Sequence, residues 1–84
     1  SHSPGMTEKM KRLLADCCLT FESALNIVVV KTLSGTAPGV GEAIDNMRME
    51  EVIGCVAGDN TVLVVAKSEE AAQTAVERLR NISR

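Results

Sequence analysis

The sequence predicts an α/β (α+β) fold of order ββαββα: a sandwich in which a four-stranded, mostly antiparallel sheet carries two helices on one face. Three observations lead there. Ile27-Val28-Val29-Val30 and Val62 to Ala66 are β-branched, nearly continuous apolar runs, the pattern of strands in a core. Gly58-Asp59-Asn60 separates the second run from an alternating stretch before it, marking a tight hairpin turn between two core strands. Two stripes at helical spacing, Ala37, Val40, Ile44, Met47 and Ala72, Ala75, Val76, Leu79, Ile82, follow the two strand pairs.

Along the chain, Ser1-His2-Ser3-Pro4-Gly5 is small and aperiodic, so residues 1–6 read as a linker or cloning remnant and residues 7–84 as one domain. From Thr7, apolar Met10, Leu13, Leu14 and Cys17 recur at helical spacing and suggest a short lead-in helix. Leu19, Phe21 and Leu25 share one parity against Thr20, Glu22 and Ala24, the mark of a half-buried strand, with a hairpin corner at Ala24-Leu25-Asn26. The next run, Ile27 to Val30, reads as a strand buried on both faces. Thr36 is a candidate N-cap, and Pro38 suits a first helical turn, where its missing N–H has no partner to lose. Val52, Gly54 and Val56 alternate with Ile53, Cys55 and Ala57 in the third strand. Ser68 caps the last helix with Glu69 and Glu70 at its positive end, while Arg78, Arg80 and Arg84 suit its negative end.

Totals bound the rest. At 84 residues and 45% hydrophobic, with Phe21 as the single aromatic, the core is shallow and aliphatic. A chain of this size buries only roughly 60% of its unfolded surface, so apolar surface is expected to be shared between subunits, the sheet face opposite the helices being the natural place. The net charge of −2 argues against a duplex-DNA surface, and the small basic cluster Lys9, Lys11 and Arg12 reads as a solvated entry. Three cysteines, two of them adjacent, are the usage of a reducing compartment. With no long apolar run and no signal-peptide pattern, the expected location is the cytoplasm, away from membranes.

Catalysis finds no support: the only histidine, His2, lies in the tail, leaving no base to activate a cysteine. Cys17-Cys18 lacks the gap of zinc-binding pairs, so no metal is expected, and the three cysteines read as small buried hydrophobes. Gly35 to Gly41 lacks the Gly-Lys-Ser/Thr ending of a phosphate loop. Two places could carry binding. Asp59 and Asn60 project from a rigid hairpin, either as simple turn residues or as a polar site. Gly35, Gly39 and Gly41 surround a helix start, either to admit a carboxylate to its N–H groups or to let helix and sheet pack closely. Asp45 stands about 100° around the helix from core Ile44, at the rim. With Asp59 it could hold a cation such as guanidinium.

Taken in order, Lys31-Thr32, Gly35-Thr36-Ala37, Gly41, Ile44-Asp45-Asn46, Ile53-Gly54, Ala57-Gly58-Asp59 and Thr61-Val62-Leu63 resemble the C-terminal domain of bacterial arginine repressors, over roughly Leu13 to Leu79. The resemblance implies a non-enzymatic, cytoplasmic effector-binding and oligomerisation domain of a transcriptional regulator of arginine metabolism. It implies trimers that pair into hexamers, L-arginine as effector with no other cofactor, and operator DNA contacted by an N-terminal domain that this chain lacks. Carried over to this sequence, the ligand-binding residues are Asp59, Asn60, Asp45, Gly41, Ala57, Cys55 and Pro38, with Asp45 receiving the α-amino group and the hairpin tip the guanidinium. The family's tip usually reads Gly-Asp-Asp, and Asn60 replaces its second acid; losing one charge-assisted bond weakens a cation by roughly 1–3 kcal/mol. Pro38 stands where the family often has Gln. Both departures suit an alternative: a paralogous oligomerisation domain whose effector is lost or altered.

Overall fold

The structure is a computed structural model and describes residues 7–84; the segment 1–6, read as a linker, lies outside the described residues. Its elements are α1 (Glu8–Cys17), β1 (Cys18–Ala24), β2 (Ile27–Thr32), α2 (Ala37–Met47), β3 (Val52–Ala57), β4 (Thr61–Ala66) and α3 (Glu69–Ser83). All three strand pairings are antiparallel, in the order β1-β2-β4-β3. The expected α+β sheet is therefore present. Of the two hairpin strands assigned to the core, only β4 is central, and β3 forms an edge.

The lead-in helix is a full member of the helical layer. Thr7 Oγ1 accepts from the Met10 N–H at 3.2 Å, and Leu14, with no exposed surface, packs α1 into the core where it meets α2 and α3. Leu14, Val28, Val30, Val40, Ile44, Val62, Val64 and Leu79 form the largest fully buried side chains. All four strand residues among them point to the helical face. The opposite face carries Ile27, Val29, Val56, Leu63 and Val65, with Val56 61% and Leu63 45% exposed. Ile27 to Val30 is thus covered on one face only within a single chain.

Two bulges interrupt the expected alternation. Cys18 pairs with Thr32 but Thr20 pairs with Lys31, so Leu19 is inserted and lies 59% exposed, while Phe21 turns inward. A second shift between Val52 and Gly54 leaves Ile53 outside the helical face and puts Val52, Cys55 and Ala57 on it. The Leu25-Asn26 corner exists, but Leu25, 74% exposed, holds the left-handed conformation (φ 54°) that Asn or Gly would adopt at less cost. Asn26 stitches this corner to β4 instead: its carbonyl accepts from the Ala66 N–H at 2.8 Å and its Nδ2 donates to the Ala66 carbonyl at 3.3 Å.

Ser68 caps α3 as expected, accepting from the Ala71 N–H at 3.0 Å. The arginines do more than answer the helix dipole. Arg78 pairs with the largely buried Glu51 at 3.1 Å, and Arg80 donates to the Phe21 carbonyl of β1 at 2.9 Å. Leu14→Ala is expected to lower unfolding free energy by about 2–5 kcal/mol, whereas Leu25→Ala changes it by less than about 0.5 kcal/mol. Urea titrations at one protein concentration check both.

Candidate ligand-binding site

The β3–β4 hairpin does not stand free. Its tip is docked on the segment between β2 and α2 by three hydrogen bonds. The Asn60 carbonyl accepts from the Thr32 N–H at 2.8 Å, the Asp59 carbonyl from the Ala37 N–H at 3.1 Å, and Asp59 Oδ2 from the Gly35 N–H at 3.2 Å. Gly58 N–H closes on the Thr61 carbonyl at 2.8 Å. Gly, Asp and Asn suit tight reversals because they accept positive φ at small cost, yet neither Asp59 nor Asn60 adopts it. Partners outside the hairpin set its shape, and the left-handed residue is Gly35 (φ 77°), which turns its N–H toward Asp59.

These bonds change the reading of the helix start. Thr36 occupies the N-cap position of α2 in a helical conformation and its side chain caps nothing; its Oγ1 donates to the Leu33 carbonyl at 2.8 Å. Of the first N–H groups of α2, that of Ala37 is taken by Asp59, Pro38 has none, and that of Val40 closes on Thr36. At this terminus Asp59 thus takes one N–H group, and that of Gly39 has no partner among the described residues. Pro38 lies exposed in the first turn, beside the residue that holds Asp59.

Farther along α2, Gly41 is buried against β3. A Cβ there would lie 3.3 Å from Ala57 Cβ, 3.8 Å from Val62 Cγ1 and 3.9 Å from Cys55 Sγ. Close helix-on-sheet packing, one of the two sequence readings, accounts for Gly41. That approach brings Asp45, exposed one turn on, into reach of β3. Cys55 Sγ lies 3.4 Å from Asp45 Oδ1 and 3.5 Å from the Gly41 carbonyl, two acceptors within reach of its single S–H hydrogen. Burial, then the hydrogen bond to Asp45 and its charge, push the Cys55 thiol from 9.0 up to about 11. Burial, then neighbouring Cys17, do the same for Cys18, to about 11. All three cysteines are half-buried rather than fully buried.

The expected residues thus fall into two linked groups. Gly41, Asp45, Cys55 and Ala57 meet where α2 crosses β3. Asp59 and Asn60 stand at the end of the same strand pair, tied to the residues that open α2 beside Pro38. Asp45 also lines a cleft of about 140 Å³ with Arg48, Ile53 and Gly54. That is below the roughly 300–1,000 Å³ of a small-molecule pocket, so in one copy the acids stand on an open rim. Sequence reasoning missed Gly35 and Thr32 as hairpin partners, and Lys31 and Thr61, whose side chains lead to Asn60. Lys31 Nζ donates to Thr61 Oγ1 at 3.1 Å, and Thr61 Oγ1 to Asn60 Oδ1 at 3.1 Å. Lys31 and Thr61 pair across neighbouring strands, a relation that only the sheet register reveals.

Fold and rim together define a small two-layer α+β domain, open on one sheet face, with an acidic hairpin tip fastened beside a helix start. Residues 14–81 match the family described as arginine repressor, C-terminal domain, and the chain belongs to that family. The arginine repressor of Thermoanaerobacter sp. (strain X514) is 40% identical over 77 residues, which are 92% of this chain and 51% of that protein. That of Exiguobacterium sp. (strain ATCC BAA-1283 / AT1b) is 45% identical over 71 residues, 84% of this chain and 48% of the relative. The Symbiobacterium thermophilum arginine repressor is 44% identical over 77 residues, 92% of this chain and 51% of the relative. The chain spans about half the length of these curated relatives, which are named as repressors and not as enzymes.

Because the fold holds the Cys18 and Cys55 protons more tightly than an unfolded chain does, their contribution to stability is complete below pH 9.0 and is lost as pH rises through about 11. Alkylation of Cys55 by iodoacetamide, followed by peptide mass spectrometry, is expected to accelerate about tenfold per pH unit from pH 7 to 10 without a plateau. Asp45→Asn removes the opposing charge and speeds the reaction at each pH.

Proposed function

We propose that this domain senses an amino-acid effector, L-arginine, and couples its binding to self-assembly in a transcriptional regulator. The observation that carries the reading is the Asp59 carboxylate, fastened at the hairpin tip beside the Asp45–Cys55 contact and presented on an open rim. Rigid carboxylates suit a guanidinium, which donates in a fork, and Asp45 suits an α-amino group. Asn60, Gly41, Ala57, Cys55 and Pro38 complete the proposed lining. An open rim in one copy fits a ligand enclosed between copies. Apolar Ile27, Val29, Val56, Leu63 and Val65 on the uncovered face supply a surface for the subunit contact of a trimer, and paired trimers make the hexamer. Operator DNA would be contacted by another part of a longer protein, about half of each curated relative lying outside the match. Unpaired thiols suit the cytoplasm.

A second reading, a paralogous assembly domain with a lost or altered effector, is favoured by Asn60 and Pro38. Calorimetry and light scattering with and without L-arginine separate the two. Arginine sensing predicts saturable heat, a weakening of about 1.5–3 kcal/mol in Asp59→Ala, and a mass that rises toward the hexamer with arginine. Constant mass and no heat would leave only the second reading.

A further inference from the structure

Asp45 stands on an exposed turn of α2, where a short side chain ordinarily samples several rotamers. Among the described residues one side chain bonds to its carboxylate: Cys55, whose Sγ lies 3.4 Å from Asp45 Oδ1. Arg48 lines the same cleft, yet among the described residues it forms no ion pair with Asp45. The thiol has a second acceptor within reach, the Gly41 carbonyl at 3.5 Å. That carbonyl already faces the Asp45 N–H one helical turn on, whereas the carboxylate is charged and makes the stronger bond. The S–H hydrogen therefore goes to Asp45. Burial, then that bond, holds the thiol up to about 11, so the hydrogen stays on sulfur at neutral pH.

The donor and the acceptor belong to different layers of the fold. Cys55 is held in β3 by its pairing with Val64 of β4, and its sulfur sits beside Gly41, where a Cβ would lie 3.9 Å from it. The sheet thus fixes the rotamer of a helix side chain from a rigid base. One acceptor site of Oδ1 is used; its other site and those of Oδ2 stay available to a ligand. We propose that Cys55 is a positioning residue, which holds the Asp45 carboxylate in place for the α-ammonium group of the effector. The inference rests on the reading above that Asp45 receives that group, and it adds the residue through which β3 governs the affinity. A carboxylate already held in its binding rotamer avoids the ordering cost of a free side chain, an advantage of about fivefold in affinity.

Calorimetry of the whole chain with L-arginine tests the role through variants that separate the hydrogen from the bulk. Cys55→Ala removes donor and sulfur together, Cys55→Val fills the space without a donor and suits a strand, and Cys55→Ser keeps a donor in a smaller group. Both donor-free variants are expected to bind L-arginine about fivefold more weakly, and Cys55→Ser to recover most of that loss. In Asp45→Ala, which has no carboxylate to hold, the added change Cys55→Ala leaves the affinity where it was. Cys55→Ser binding as weakly as Cys55→Ala, equal binding by all the Cys55 variants and the unsubstituted protein, or effects of Cys55→Ala and Asp45→Ala that simply multiply would each overturn the positioning role and leave an arginine sensor. No saturable heat from the unsubstituted protein overturns the effector reading and the positioning role together.

Discussion

Three hydrogen bonds between the hairpin tip and the segment from Thr32 to Ala37 determine how the sheet end, the start of α2 and the rim are related. Without them the tip would be a two-residue reversal at the end of an edge strand, a part of the fold that ordinarily frays. With them the Asp59 carbonyl replaces a side-chain cap for α2, which is why Thr36 is released to bond to Leu33. Gly35 enters the left-handed region to deliver its N–H, and the Asp59 carboxylate is held in one place. The ordering entropy of this corner is shared among a strand, a loop and a helix, so the rim is preorganised by groups that also close the fold.

The second constraint is the close approach at Gly41. A helix that lacks a side chain where it crosses β3 sits lower on the sheet, and Asp45 comes within hydrogen-bond distance of Cys55. The thiol, kept protonated, remains a donor to that carboxylate. One glycine therefore brings the α2 acid and the β3 donor into contact, while the same crossing buries Val40 and Ile44 against Val62 and Val64. A core with one aromatic relies on approaches of this kind, because short aliphatic side chains leave gaps unless backbones come near.

Much of the fold could be read along the chain. Ser68 signalled the start of α3, the apolar runs signalled β2 and β4, and the reversal at Asp59-Asn60 was placed correctly. Leu19 was misread because a bulge shifts strand parity without any local composition signal, and Ile53 sits at a second such shift. Leu25 was hidden because a strained φ at a leucine opposes its propensity and is tolerated for tertiary reasons. At the rim, Asp45, Gly41 and Cys55 were identified, yet their contact depends on how closely α2 approaches β3, a distance that spacing cannot encode. Asn60 was noticed as a missing charge. That its oxygen accepts from Thr61 depends on Lys31 and Thr61 meeting across two strands, information held in the register.

Arg80 lies far from the rim, and its bond to the Phe21 carbonyl bears on how copies of the chain can meet. Phe21 belongs to an edge strand, where an exposed carbonyl invites another strand to extend the sheet. A guanidinium from α3 already occupies it, and the Leu19 bulge twists the same edge away from straight pairing. An incoming strand would have to displace a charged donor and adjust to a register break. Growth by adding strands end over end, the route to ribbons and fibrils, is obstructed at β1. The apolar sheet face remains available for contact, and stacking through a face lets a small number of copies close on themselves and stop.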